Sequence, residues 1–220
     1  MTRTQYNTAV SLDGFIADEH DSLTWLEELG EDPDNTAIFE EFMDGVGAMA
    51  MGATTYRWIC ESLQLAHHPE RWLDVYGELP TWVFTHHPLP VVRGANVRFV
   101  AGDVAAHHPE MVRASGGANV WIVGGGPLAA QFAQAGLLDE IILSMAPVTL
   151  GAGRPVMPLR LDSGALCLAS VQTAGAFVAL RYELVKGATA EPGLVRDGDP
   201  DGGPGVDPGV DDGPDGEGSG

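Results

Sequence analysis

Three consecutive glycines, Gly124, Gly125 and Gly126, follow the apolar run 120–123 and precede Pro127. Glycine adds no side chain to packing and is entropically costly to order, so a triplet indicates positive φ or a close approach of the backbone to another group. Proline favours the first turn of a helix, so unpaired helix N–H groups should follow the glycines. Such groups, at the positive end of a helix dipole, can bind a phosphate. A tight strand-to-helix turn without a ligand is the alternative interpretation.

A second turn of the same kind begins at Gly52, where a short apolar strand leads into Thr54 and Thr55. Threonine hydroxyls and helix N–H groups at this point are suited to another phosphate. Ligands of open α/β sheets bind outside the carboxyl ends of the strands, where both turns lie. Two such turns side by side favour a pyrophosphate-containing ligand.

The elements that must position these turns alternate between strands and helices. Apolar patterning predicts strands over 5–12, 48–51, 79–85, 97–100, 119–123, 140–148, 165–173 and 177–185, and helices over 36–46, 54–63, 104–115 and 127–136. Thr54 or Thr55 is the predicted cap of the second helix. Alternation followed by a closing hairpin predicts an α/β fold with a mostly parallel central sheet, an antiparallel edge hairpin and helices on both faces.

Composition limits the classes of function. The net charge of −20 argues against a nucleic-acid partner, because phosphate binding needs clustered Lys and Arg. No apolar run reaches the roughly 18 residues of a membrane span, and the N-terminus lacks the pattern of a signal peptide. Cys60 and Cys167 are isolated, so neither a disulfide framework nor a zinc site is expected. We therefore expect a cytoplasmic protein that acts on a small molecule.

Residues 187–220 differ in composition from the rest of the chain. They hold nine acidic residues against the single base Arg196, with frequent Gly and Pro and no aromatic residue. Such a segment cannot bury enough apolar surface to offset its ordering entropy, so it is predicted to be disordered. An acidic interaction tail and a solvated extension are both compatible with it. Residues 1–186 are predicted to form one domain.

Five segments occur in a fixed order between residues 4 and 186, and they are AVSLDGFIA (9–17), MGATTYRW (51–58), WVFTHH (82–87), VWIVGGGPLAAQF (120–132) and LLDEIILSMAPVTLGAGRPVM (137–157). In this order the chain resembles the dihydrofolate reductase fold family. It is most similar to the branch that includes the C-terminal domain of bifunctional riboflavin-biosynthesis deaminase/reductase proteins. The resemblance implies a dihydrofolate-reductase-like fold and homodimers, with the run 141–148 as a candidate interface strand.

The resemblance also implies a nicotinamide cofactor, NADPH or alternatively NADH, bound across the sheet. It places Ala9 and Ile16 beside the nicotinamide, Gly52, Thr54 and Thr55 at the first phosphate turn, Thr85 and His86 at the adenosine 2′-phosphate, and Gly124, Gly125, Gly126, Pro127 and Leu128 at the pyrophosphate. A cis peptide between Gly124 and Gly125 is implied as well.

Three positions depart from the family pattern. Ala53 and His86 stand where an arginine is frequent, and a histidine is only partly charged near neutral pH, which weakens the preference for NADPH over NADH. The acid that anchors the pterin in dihydrofolate reductases is replaced by Asn35 or Thr36, so the substrate stays open. Asp34, next to that position, is the candidate catalytic acid.

Asp13 and Trp25 are the predicted substrate-pocket residues. Asp13 can act as an acid or bond only its own Asp-Gly turn, and Trp25 can form a pocket wall or pack in the core. Three His-His-Pro triplets do not predict a metal site, because adjacent side chains on a strand point to opposite faces.

The sequence thus predicts an NAD(P)H-dependent reductase that transfers hydride to a small heterocyclic or conjugated substrate, pyrimidine-like or pterin-like. Two alternatives stay open: a dinucleotide-binding protein of the same fold without turnover, and a reductase that uses a deazaflavin.

Overall fold

The computed structural model describes residues 1–30, 32–187 and, for the backbone alone, 190–192. The helices are α1 (Thr24–Glu27), α2 (Pro33–Asp44), α3 (Ala53–Ser62), α4 (Glu70–Tyr76), α5 (Val104–Ala114) and α6 (Gly126–Gln134). The strands are β1 (Thr4–Ser11), β2 (Phe15–Ala17), β3 (Val46–Gly52), β4 (Thr81–Phe84), β5 (Val97–Val100), β6 (Asn119–Val123), β7 (Glu140–Ala146), β8 (Arg154–Pro155), β9 (Leu159–Leu161), β10 (Leu166–Ala174), β11 (Phe177–Leu184) and β12 (Ala190–Pro192).

Eight strands form one sheet in the order β10-β11-β7-β1-β6-β3-β4-β5. Strand β1 lies parallel to both β6 and β7, so Tyr6 stands opposite Ile122 on one side and Ile141 on the other. Strands β6, β3, β4 and β5 continue in parallel, while β11 pairs antiparallel with both β7 and β10. The predicted α/β fold with a mostly parallel sheet and an antiparallel edge hairpin is confirmed.

Two hydrophobic cores cover the two faces of the sheet. Alternate residues of β3 separate them: Ala48 and Ala50 pack towards α5 and α6, whereas Met49 and Met51 pack towards α3 and α4. This division follows from the period of two in a strand, which sends successive side chains to opposite faces. The expectation of helices on both faces is confirmed as well.

Several element boundaries differ from the predictions for local reasons. Helix α3 is capped by the backbone of Gly52 with no side-chain hydrogen bond, so the predicted threonine cap is wrong. Helix α4 has only seven residues, too few for its apolar spacing to establish a helical period. The segment between the first predicted strand and the first predicted helix, for which no element is predicted, contains β2 and α1, which are also short.

Three residues of the predicted tail, Ala190–Pro192, pair with β9. Residues 188, 189 and 193–220 lie outside the described residues, so the disorder of the tail and the domain boundary stay predictions. In the described part of the chain, no helix has the length and apolar character needed to cross a bilayer. The cytoplasmic location also stays a prediction.

The N-terminus of α2 is fixed by Asp32. Its carboxylate accepts hydrogen bonds from the backbone N–H groups of Asp34 (3.0 Å) and Asn35 (3.2 Å), which starts the helix before the predicted residue 36. The same carboxylate accepts from the backbone N–H of Ala176, at 3.1 Å, in the β10–β11 turn. A Cβ on Gly175, which has a φ of +56°, would overlap the carboxylate. The β10–β11 hairpin at the edge of the sheet is thereby attached to the N-terminus of α2.

Asp32→Ala should lower the urea midpoint of unfolding, because it removes the acceptor of three backbone N–H groups. These bonds, first that of Asn35, hold the pKa of Asp32 below its ordinary value. A lowered folded-state pKa stabilises the protein above the unfolded-state pKa, about 3.9, and this stabilisation is lost as the pH falls through the folded-state value. The deficit of the variant should therefore be full at pH 7 and shrink below about pH 4. Asp34→Ala, two residues on and exposed, is the control; an equal deficit there would contradict this role.

Candidate functional site

A cavity of about 820 Å³ opens at the carboxyl ends of β1, β6, β3 and β4. Its volume lies within the roughly 300–1,000 Å³ of small-molecule sites. All of the predicted cofactor residues except Gly126 line it, and these are Ala9, Ile16, Gly52, Thr54, Thr55, Thr85, His86, Gly124, Gly125, Pro127 and Leu128. The parallel strands therefore bring together residues that are spread over most of the domain.

The two predicted phosphate turns adjoin each other in the cavity. Gly124 and Gly125 have φ values of +60° and +79°, a region that glycine enters at no steric cost. A Cβ on Gly124 would lie 3.3 Å from the hydroxyl oxygen of Thr55, so the glycine turn and the threonine turn are neighbours. The implied cis peptide between Gly124 and Gly125 is wrong, since that bond is trans. Two consecutive residues with positive φ connect β6 to α6 instead.

The two helices that follow these turns differ in their backbone donors. Neither α3 nor α6 has a side chain that hydrogen-bonds its first N–H groups. In α6, Pro127 has no N–H, and the N–H groups of Leu128 and Ala129 donate to the carbonyl of the N-cap residue Gly125. The N–H groups at the start of α3 and the dipoles of both helices favour negative charge. The donor set therefore fits the phosphates of a dinucleotide.

Gly126 has a different role from its two neighbours. It is buried, and a Cβ there would overlap the carbonyl oxygens of Pro155 and Val156. The third glycine therefore allows the segment that contains β8 to cross closely over the start of α6. Its absence from the cavity lining follows from this packing.

The predicted adenosine end is polar but weakly charged. The hydroxyl of Thr85 donates to the carbonyl of His87 (2.8 Å) and accepts from its N–H (3.1 Å), which makes a local turn after β4. His86 lines the cavity beside this turn, and no lysine or arginine among the described residues lines that end.

Asp13 lies outside the cavity and bridges two loops. Its carboxylate accepts from the Ser11 hydroxyl (2.6 Å) and from the N–H groups of Leu150 (3.1 Å) and Gly151 (2.7 Å). These bonds, first that from Ser11, lower the pKa of Asp13. The geometry supports the turn-bonding interpretation of Asp13 rather than a place in the substrate pocket, because the carboxylate oxygens are already engaged.

Trp25 also lies outside the cavity. It is 7% exposed and packs in a small core with Ala146, Ala174 and Phe177. The geometry therefore supports core packing, while its neighbours Leu23 and Leu26 line the cavity.

Helix α2 presents Asn35 and Phe39 to the cavity, while Asp34 is exposed and does not line it. The side-chain Oδ1 of Asn35 is buried without a hydrogen-bond partner among the described residues. The ring of Phe39 meets that of Trp121 edge to face at 5.6 Å between centroids. The Trp121 Nε1–H donates to the backbone carbonyl of Asn7 at 3.1 Å, which fixes the ring.

Sequence reasoning placed Asn35 or Thr36 at the anchor position but missed the aromatic wall beside it. Asn35, Phe39 and Phe42 are spaced i, i+4, i+7, which marks one face of a helix and could have distinguished Asn35 from Thr36 and revealed Phe39. Trp121 gave no such signal, because the face on which a buried strand residue lies is set by the sheet.

Arg154 and Asp21 were also missed. They lie at the mouth of the cavity, where Arg154 Nε stands 2.5 Å from Asp21 Oδ1 and Arg154 Nη2 stands 3.2 Å from Oδ2. In the sequence they are far apart, so nothing local connects them.

Comparison with models of protein families identifies one family for this chain. The family model of the RibD C-terminal domain matches residues 3–180. The chain is 30% identical over 174 residues to YwjB of Bacillus subtilis (strain 168), which covers 79% of this chain and 93% of YwjB.

Two solved structures share the fold. One is a diaminohydroxyphosphoribosylaminopyrimidine deaminase/5-amino-6-(5-phosphoribosylamino)uracil reductase from Thermotoga maritima, with 15% identity and a TM-score of 0.59, covering 84% of this chain and 57% of that chain. The other is dihydrofolate reductase from Enterococcus faecalis complexed with NADP(H) and RAB-propyl, with 16% identity and a TM-score of 0.52, covering 82% and 94%.

Gly126→Ala should lower the free energy of unfolding by about 1–3 kcal/mol, because the new methyl group would overlap two backbone carbonyl oxygens. Gly52→Ala is the matched control, since a Cβ there meets nothing within 4 Å. Urea unfolding of the two variants measures the difference. Equal stability of both would show that Gly126 is not required by packing.

Proposed function

The chain belongs to the RibD C-terminal domain family, and we propose that it is a reductase that binds NADPH, or NADH, across the carboxyl edge of its sheet. Its second substrate is a small heterocyclic or conjugated molecule of pyrimidine or pterin type. The observation that carries the proposal is the pair of adjoining turns at Gly124–Gly125 and Thr55, each opening a helix without a side-chain cap.

The residues at the cofactor end of the cavity bind the dinucleotide and orient its nicotinamide ring. A bound nicotinamide dinucleotide supplies the hydride. The backbone N–H groups after Gly52 and the dipoles of α3 and α6 hold the pyrophosphate, and Ala9 and Ile16 flank the nicotinamide. His86 meets the adenosine 2′-phosphate, and because an imidazole offers fewer N–H donors than a guanidinium, discrimination between NADPH and NADH is modest.

The substrate end has an amide and two aromatic rings. Phe39 and the fixed ring of Trp121 present apolar surface suited to a planar ring. Asn35 completes its hydrogen bonds by accepting from a ring N–H, since its buried Oδ1 lacks a partner. A neutral amide favours a neutral ring over a cationic one, which separates this site from one that anchors a protonated pterin with a carboxylate.

The proton for reduction comes from water. Among the described residues, Asp21 is the only carboxylate that lines the cavity, and it is paired with Arg154. The same observation favours the second candidate function, a dinucleotide-binding protein of this fold without turnover.

Titration of the protein with NADPH, NADH and a deazaflavin, followed by tryptophan fluorescence, tests the cofactor assignment. Trp58 and Trp121 line the cavity and should report binding. Binding of NADPH and its oxidation with a dihydrofolate or ribosylpyrimidine substrate would support the reductase, and binding without turnover would support the second candidate. Binding of a deazaflavin and of neither nucleotide would show that the cofactor is a deazaflavin. If none of the three binds, the proposed cofactor site is wrong.

Gly125→Ala should weaken NADPH binding roughly tenfold or more, because its Cβ would enter the space between the turns that donate to the phosphates. Alanine at positive φ also costs about 1 kcal/mol of stability. Gly136→Ala is the matched control: it has a φ of +67°, nothing within 4 Å of its Cβ, and a place at the far end of α6. Both variants should lose similar stability, and equal NADPH affinity in the two would show that Gly125 forms only a turn.

The proposed homodimer uses a different strand from the one expected. Strand β7 has a paired strand on either side, so neither edge of the run 141–148 is free for an interface. Strand β10 is the edge of the eight-stranded sheet, and its Leu168 and Val171 are 51% and 57% exposed. A bulge at Leu168/Ser170 places both on the face of Tyr182 and Leu180. We propose that this apolar face binds a second copy of the chain.

Val171→Lys should shift the protein towards a monomer, because an ammonium group would have to be desolvated in the interface. Gln172→Lys, on the opposite face of the same strand, is the control with the same added charge. Light scattering at micromolar concentration measures the mass. A monomeric unsubstituted protein would remove the proposal.

A further inference from the structure

One ion pair stands at the mouth of the cavity. Within the described part of the chain, Arg154 is the only lysine or arginine that lines the cavity, and Asp21 is the only carboxylate. Their side chains are 53% and 42% exposed. An ion pair at this exposure contributes little stability, on the order of 0–1 kcal/mol, so its place needs another reason.

Arg154 is held in place by its backbone. Strand β8 pairs with β2, with Arg154 opposite Ala17. The preceding Gly153 lies so close to β2 that a Cβ would overlap the carbonyl oxygen of Ala17. The Arg154 side chain therefore extends from a backbone position that is fixed at the rim.

Asp21 is held by a tight turn. The Asp18 carboxylate accepts from the N–H groups of His20 and Ser22, each at 2.8 Å, and Asp21 takes a φ of +61° within this turn. Aspartate tolerates the left-handed region better than most residues. The turn presents the Asp21 carboxylate to Arg154.

The Arg154 guanidinium has an N–H donor group that the ion pair with Asp21 does not use. Asp21 engages Nε and Nη2, while Nη1 has no partner among the described residues. This fork geometry matches the two oxygens of a carboxylate or phosphate. Asp21 thus lies where two oxygens of an anionic ligand would bind.

We propose that Arg154 binds an anionic group of a cavity ligand, a phosphate or carboxylate, and that Asp21 is an internal competitor that occupies the guanidinium until the ligand arrives. The proposal rests on the proposed function only for the identity of that ligand. Strand β8 crosses the start of α6, and its Arg154 also contacts Asp21 in the turn that precedes α1. The anion is therefore either the dinucleotide pyrophosphate or a group on the second substrate.

Substitution of each partner distinguishes an anion-binding site from an ion pair that only holds the two segments of the rim together. Arg154→Met should weaken anion binding on the order of tenfold, because it removes a charge-assisted donor pair. Asp21→Asn should strengthen binding several-fold, because it removes the competing charge. If the pair only closes the rim, breaking it from either side should change affinity in the same direction.

NADPH is titrated into the free protein and followed by fluorescence. Inorganic phosphate is titrated into the free protein and into protein saturated with NADPH, and is followed by NMR with the Ser22 amide as reporter. Arg160→Met and Asp162→Asn are the controls. They make the same charge changes in an exposed ion pair of 3.2 Å that does not line the cavity.

Opposite shifts in NADPH affinity would support the proposal with the pyrophosphate as the anion. Unchanged NADPH affinity with opposite shifts in phosphate affinity on the saturated protein would support it with the second substrate as the source. Shifts in one direction, shifts matched by the controls, or no shift would overturn it. If the protein binds no NADPH, the proposed function fails, while phosphate titration of the free protein still decides the anion site by the same criterion.

Discussion

Parallel pairing of β1, β6 and β3 is the constraint on which the site depends. Neighbouring strands lie about 4.8 Å apart and all three end at the same edge, so the residues that follow them form one row. The glycine turn after β6 and the threonine turn after β3 meet at Gly124 and Thr55. A Cβ on Gly124 would lie 3.3 Å from the hydroxyl oxygen of Thr55. Each turn precedes a helix that has no side-chain cap at its N-terminus, so one anion can interact favourably with both helix N-termini.

The rim of the cavity is held by hydrogen bonds to backbone N–H groups and by close approach of backbone segments. Asp13 ties the turn after β1 to the loop after β7, and Gly126 admits the carbonyl groups of the segment that follows. Consecutive glycines therefore serve two different ends, since Gly124 and Gly125 shape the turn while Gly126 makes room for the rim. A fixed rim is what allows Arg154 and Asp21 to face each other.

Electrostatics and shape divide the cavity into regions with different preferences. The charged side chains of its lining, Arg154 and Asp21, neutralise each other at the mouth, while Phe39, Trp121 and the Asn35 amide form the wall at one end. Backbone dipoles at the two helix starts supply the positive potential between them. A ligand with phosphates and planar rings satisfies these regions together.

The sequence by itself determined the alternation of strands and helices and the two glycine turns, because these follow from local periodicity and backbone preference. The other positions that meet at the cavity edge, such as Ala9 and Thr85, were implied by the resemblance to a known family. The sequence could not show that Asp13 and Trp25 are engaged elsewhere, that β7 lies inside the sheet, or that Arg154 reaches Asp21. Those outcomes depend on which face a side chain takes and on which distant backbone passes beside it. Only the tertiary structure decides them, since strand order, register and helix rotation come from burying both cores at once.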